Sequence, residues 1–227
     1  MKKLIFACLP LALLVISCKK DGDSNPVVPE EKYMSITTNS KWTYDVINNP
    51  GTPGQTSLVD TVTVTSQDTS IGSRTYRTFK HSNANASDYY NITGNEYYRY
   101  QKQDLNGTPL SIEDLYLKDN QSTGASWSQT INLTVPGFPV AIPITVTNSV
   151  IEKGSSKTVN GTSYTDVIGI KTDIVAGGGL PANTIVTDIK SYYARKVGLI
   201  QADYKIAIST IGVDINTQTL LKTAVIQ

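Results

Sequence analysis

Side chains able to act as acids, bases, nucleophiles or metal ligands are few in this 227-residue chain, and their spacing brings almost none together. His81 is the sole histidine. A serine triad needs a histidine held by a carboxylate and facing a nucleophile. No Gly-x-Ser-x-Gly elbow occurs, and no acidic partner for His81 stands out in the sequence. His81 precedes Ser82 and Asn83 and is expected as an exposed polar residue at a hairpin mouth. A zinc site with one histidine and no folded cysteine would need several carboxylates, an unusual set. Glu113-Asp114 is the only adjacent acidic pair in the folded part, and strand neighbours point to opposite faces, so the two cannot flank one glycosidic bond. Asp166, Asp173, Asp188 and Asp203 read as single acids on wet faces or in turns. No catalytic residue, metal ligand or cofactor is expected.

The chemistry that does stand out is at the N-terminus. Lys2 and Lys3 precede the apolar run Leu4 to Ile16, and Ser17 then precedes Cys18. As a helix this run would reach about 20 Å, against roughly 30 Å of hydrocarbon, and Pro10 interrupts it, so residues 1–17 read as a secretion signal. Leu14-Val15-Ile16-Ser17-Cys18 resembles the lipobox of bacterial lipoproteins. The resemblance implies acylation of Cys18, cleavage before it, and attachment to a membrane through the N-terminal lipid. Each buried acyl CH₂ contributes about 0.8 kcal/mol, so several chains anchor a protein almost permanently. Of the two cysteines, Cys8 leaves with the signal and Cys18 takes the lipid, so the folded part has no thiol.

Residues 18–32 read as the lipidated cysteine and a flexible tether, rich in Asp, Gly, Ser and Asn with Pro26 and Pro29. Its start, Cys18-Lys19-Lys20-Asp21-Gly22-Asp23, is similar to that of many Bacteroidetes lipoproteins, which implies outer-membrane or cell-surface placement. Of 20 basic residues, Lys2 and Lys3 are lost with the signal, leaving a net charge of about −1 against 19 acidic residues. That balance offers no electrostatic case for nucleic acid.

From Tyr33 to Gln227 the composition turns to Thr, Val, Ile and Tyr, with Gly, Asn and Pro every eight to twelve residues. No stretch keeps a 3.6-residue apolar period, while several alternate, such as Val62/Val64 against Thr61, Thr63 and Thr65. The expectation is an all-β domain, an antiparallel curved sheet or half-barrel, or a sandwich.

Two features point to binding. There are 13 tyrosines against three phenylalanines and two tryptophans, and Tyr89, Tyr90, Tyr97, Tyr98 and Tyr100 cluster. Tyr98 and Tyr100 share a strand face, with Tyr90 read as continuing their row through the Gly94-Asn95 turn; these rings suit a sugar or an amphiphile, though cross-strand packing explains them as well. The second feature is Val135 to Pro143, apolar but carrying three prolines, read as excluded from the sheet and either capping the core or displaying Phe138 to a partner.

The domain also reads as two tandem meanders, about 36–105 and 122–227. Lys41-Trp42-Thr43-Tyr44, Thr61 to Thr65, Arg74-Thr75-Tyr76 and Tyr89-Tyr90 find counterparts in Ser126-Trp127-Ser128, Ile144 to Thr147, Asn160 to Tyr164 and Tyr192-Tyr193. Tyr33, Lys41 to Tyr44, Gly124 with Trp127, and Tyr192 to Ile200 resemble the landmarks G-x-x-W-x-Y, G-x-x-W and Y-Y-A-x-x-V-G-L-V of an uncharacterised family of secreted Bacteroidetes lipoproteins. Asn39-Ser40 stands where an early glycine is usual. The resemblance implies a curved sheet loosely similar to the Lol lipoprotein carriers, and it carries over no catalytic residue. The functional expectation is a non-enzymatic, lipid-anchored envelope protein binding an amphiphile, a glycan or a protein. The alternatives are a carboxylate-dependent hydrolase of the envelope and a purely structural envelope protein.

Overall fold

The computed structural model describes residues 31–83, 87–105, 108–133, 141–178, 181, 184–208 and 212–227. Cys18, most of the tether and Phe138 lie outside the described residues. Glu31 to Gln227 form one contact unit. The alternating β-branched and aromatic runs give β1 (Lys41–Asn48), β2 (Thr56–Ile71), β3 (Arg74–His81), β4 (Ser87–Thr93), β5 (Glu96–Leu105) and β6 (Thr108–Lys118). The second half gives β7 (Ser126–Leu133), β8 (Ile142–Val159), β9 (Thr162–Ala176), β10 (Val186–Ala194), β11 (Gly198–Ile208) and β12 (Val213–Val225).

All twelve belong to one sheet in the order β6-β5-β4-β3-β2-β1-β12-β11-β10-β9-β8-β7, and every described pair is antiparallel. The sheet curls into a nearly closed barrel, so the architecture is a single curved sheet and not a sandwich. Each half is a six-strand meander, and β1 pairing with β12 joins them, Lys41 opposite Val225 through Asn48 opposite Thr217. Trp42 lies on β1 and Trp127 on β7, the first strand of each meander. Ile142 and Pro143 do join the sheet, opposite Leu133 and Asn132 at the start of β8. A proline is tolerated at a strand start, and the Pro143 carbonyl accepts from Gly177 N at 2.7 Å.

The remaining seam, between β6 and β7, is bridged by side chains. Trp127 Nε1 donates to the Leu115 carbonyl at 2.6 Å and Asn148 Nδ2 to the same oxygen at 3.1 Å. Gln129 accepts from Leu115 N at 3.2 Å and donates to the Glu113 carbonyl at 3.0 Å. An open sheet edge offers unpaired backbone groups to any passing strand. Here an indole and two amides occupy that edge.

One end of the barrel is shut by the chain that leads into it. Tyr33 is fully buried; its N–H donates to Tyr97 Oη at 3.1 Å and its hydroxyl to Asp166 at 2.8 Å. Arg195 pairs with the same Asp166 and lies 4.6 Å above the Tyr33 ring. Trp42 Nε1 donates to the Val197 carbonyl and Tyr44 Oη to that of Leu199, each across 155 residues of sequence. Gly198 has φ of +106°, and a Cβ there would stand 3.1 Å from Trp42 Nε1. The early Trp landmark and the late Val-Gly-Leu landmark are therefore two sides of one contact. Asn39 has φ of +71°, the left-handed region that glycine enters freely and asparagine more readily than most residues. Gly124, at the same place before Trp127, has φ of +88°.

Gln129→Ala removes both partners that this side chain gives the β6 edge. The expected result is a loss of about 1–3 kcal/mol in urea unfolding, with faster exchange of the Leu115 amide and unchanged exchange at the β1–β12 joint. Unaltered Leu115 exchange would mean that the seam is held some other way.

Candidate functional site

A twelve-stranded barrel is wider than the eight-stranded size that inward side chains fill. The inner face accordingly encloses two cavity lobes, of about 240 and 350 Å³. They meet at Arg99, Tyr116, Tyr193, Leu199, Ala202 and Tyr204, which line both. The smaller lobe has apolar walls from Ile112, Ile131, Ile144, Val146, Ile174 and Ile189. The larger adds Trp42, Tyr44, Val46 and Val62, with Asp60, His81 and Asp88 at one side. Beneath lies a chain of touching rings. Trp42 stacks on Phe79 at 5.9 Å, Phe79 meets Tyr90 at 4.5 Å, and Tyr116 packs against Tyr90, Tyr97 and Tyr193. Burial holds Tyr44 and Tyr116 well above the usual phenol range, and Tyr193 is pushed up to about 12, so these hydroxyls stay protonated.

The register decides where the tyrosines go. Tyr90 pairs with Arg99 on β5, so it faces inward with Arg99 and Gln101 and does not continue the row of Tyr98 and Tyr100. Tyr98 and Tyr100 lie on the opposite, convex face with Tyr76 and Tyr89. There Arg74 covers the Tyr98 ring at 3.7 Å, Tyr100 packs against Tyr76 and Tyr89, and Glu113 joins Arg74 and Tyr76. Glu113 and Asp114 do point to opposite faces, and Asp114 lines the cavity.

His81 is not an exposed residue at a hairpin mouth. Its Nδ1 lies 2.6 Å from Asp60 and its Nε2 3.5 Å from Asp88, within the larger lobe. These partners come from the strands on either side of β3, Asp60 from β2 and Asp88 from β4, and only the strand register brings them to His81. The bond to Asp88, against desolvation and with the bond to Asp60, pushes the His81 pKa up to about 9. Burial opposes the charge on both carboxyls, yet the bonds to His81 outweigh it and hold Asp60 and Asp88 below the usual carboxylate range. With both ring nitrogens facing carboxylates, His81 serves as a fixed cation. Ser82 Oγ donates to Asp60, and among the described residues no hydroxyl is bonded to His81. Nor does any His, Cys, Asp and Glu group among them have metal-holding geometry.

Arg99 is the residue that sequence reading missed. It sits where the lobes meet, 34 % of its side chain exposed, with the guanidinium 3.5 Å from Asp114 and 5.9 Å from the Tyr116 ring. Burial raises the Asp114 pKa, and Arg99 only partly offsets it. Two donors here have no protein partner, Arg99 Nε and the hydroxyl of Tyr116, a residue only 6 % exposed. Both atoms are themselves buried within the cavity wall, where polar atoms are nearly always bonded.

No protein-family model matches the sequence, and no curated protein matches it. The fold is similar to a provisionally assigned lipoprotein of Parabacteroides distasonis, at 13 % identity over 86 % of this chain and 99 % of that one, with a TM-score of 0.48. It is also similar to a provisionally assigned exported protein of Bacteroides fragilis described as having a YmcC-like fold, at 9 % identity over 83 % and 96 % of the two chains, with a TM-score of 0.44.

The His81 imidazolium contributes stability in full below the unfolded value of about 6.5, and loses it as pH rises through about 9. Asp60 and Asp88 contribute above the ordinary carboxylate range and lose it as pH falls through their lowered values. Urea midpoints should therefore plateau between about pH 4 and 6.5. They should decline towards pH 9, and His81→Gln should flatten that alkaline decline. The single imidazole NMR signal should titrate near 9; a midpoint near 6.5 would contradict the clasp.

Proposed function

We propose that this chain is a non-enzymatic, lipid-anchored protein of the outer membrane or cell surface whose barrel holds a small amphiphile. The observation that carries the reading is the interior itself, with isoleucine-rich walls and a few converging polar groups at its centre, the composition typical of small-molecule pockets. A purely structural protein gains nothing from leaving that space unfilled, because each unfilled volume weakens the core. The hydrolase alternative finds no support: Asp60 and Asp88 are clamped to His81, and Asp114 is engaged by Arg99 and Gln129. The convex tyrosines Tyr98 and Tyr100 are weaker candidates than Tyr90, since packing with Arg74, Tyr76 and Tyr89 already uses their ring faces.

Membrane attachment in this reading rests on Cys18 and the lipobox before it. Cells grown with an alkyne-labelled fatty acid should yield labelled protein in the membrane fraction, and Cys18→Ser should lose both label and sedimentation. The ligand is tested by native mass spectrometry of protein extracted from its own envelope. An added mass of a few hundred daltons, absent after organic extraction, is expected; a bare protein mass before extraction would remove the amphiphile from the proposal.

A further inference from the structure

Resting on that reading, we infer that the cavity takes a single-chain amphiphile by a carboxylate head that docks on the Arg99 guanidinium. Asp114 takes up a proton as the head binds, and the chain lies among Ile112, Ile131, Ile144, Ile174 and Ile189 of the smaller lobe. Arg99 and Asp114 both line that lobe, and the other described residues lining it are uncharged. The inward-facing Arg99 leaves 34 % of its side chain accessible, and its one carboxylate contact runs from Nη2 to a single Asp114 oxygen at 3.5 Å. Its Nε is buried, whereas Nη1 is accessible and bonds to no described residue. The other cation, His81, has both ring nitrogens facing carboxylates. Arg99 is therefore the cation of the cavity with a donor to spare, and a guanidinium matches a carboxylate in charge and shape. A phosphate head, with up to two charges, would need cations that the described walls of neither lobe supply.

Charge dictates what must accompany the head. Among the described residues lining the two lobes, Asp60, Asp88 and Asp114 stand against His81 and Arg99, a surplus of one negative charge. A carboxylate head alone would double that surplus in a desolvated site, where charge is costly. If one acid gains a proton as the head binds, the balance is unchanged. Asp60 and Asp88 are bound to His81 and held below the usual carboxylate range, whereas burial holds Asp114 above it. Asp114 also gives up charge most readily because its partner, Arg99, passes to the head. The other groups around it keep their state. Gln129 from β7 and Asn148 from β8 are uncharged. Burial raises the Tyr116, Tyr193 and Tyr204 phenols on β6, β10 and β11, which stay protonated. Asp88, which also acts on Arg99, stays paired with His81, and His81 keeps its charge until about pH 9.

The test uses delipidated full-length protein loaded with the neutral dye N-phenyl-1-naphthylamine. Laurate, methyl laurate and dodecylammonium share one chain length and compete for the dye below their aggregation limits. At about pH 6.5 laurate should displace it at a concentration about tenfold lower than either of the others. Because binding takes up a proton, laurate affinity should fall by about fivefold or more from about pH 6 to about pH 8, while methyl laurate stays level. Asp114→Asn, already neutral, should bind laurate more tightly and without that slope. Arg99→Gln should erase the preference for laurate over methyl laurate; if it does not fold, Asp114→Asn decides alone. A slope that persists in Asp114→Asn puts the proton on the ligand and overturns the inference. Methyl laurate or dodecylammonium matching laurate overturns it too, with the amphiphile reading intact. If neither the dye nor any competitor binds, the amphiphile reading itself falls.

Discussion

A sheet of twelve strands cannot curl on itself without enclosing more room than its inward side chains fill, and that surplus governs the rest of the molecule. It is met at one end by Tyr33 and by the ring chain from Trp42 to Tyr116, which pack the interior as a core. Further in, the surplus remains as the two lobes. Arg99, Tyr116 and Tyr193 stand where the two lobes meet, and the ring chain from Trp42 to Tyr90 forms part of the wall of the larger one.

The same geometry explains why the two tryptophans matter. Each indole donates to a backbone carbonyl of the opposite meander, Trp42 to Val197 and Trp127 to Leu115. One fixes the turn between β10 and β11 to the β1 side, and the other covers the edge that the sheet leaves unpaired. The Trp and Tyr-Tyr-Ala to Val-Gly-Leu landmarks of the sequence gather at these two joints. They hold this barrel shut, and of them only Trp42, Tyr44, Tyr193 and Leu199 touch the cavity.

Much of the fold was legible because the β period is simple. Val62 and Val64 bury as their alternation requires, and Ala202 and Tyr204 face the cavity together. The site was less legible, for two physical reasons. On β5 the usual polarity is reversed: Arg99 and Gln101 face inward while Tyr98 and Tyr100 pack outside, so a charged residue between tyrosines looks like a wet face. The clasp on His81 joins three strands through Asp60, 21 residues back, and Asp88, across the next hairpin, which no local pattern announces. Asn39 is the reverse case: standing where a glycine is expected, it has φ of +71°, a conformation that glycine enters freely.

The burial of Tyr33 has a further consequence, for the order of assembly. Its partners, Tyr97, Asp166 and Arg195, lie 64, 133 and 162 residues further along the chain. β1 likewise waits for β12, eleven strands further along. A growing polypeptide therefore holds its first meander with the β1 edge unpaired until β12 has been made. Such long-range pairing slows folding, and unpaired margins invite intermolecular association. The half-made barrel is thus the stage at which this molecule depends most on being kept apart from its own kind.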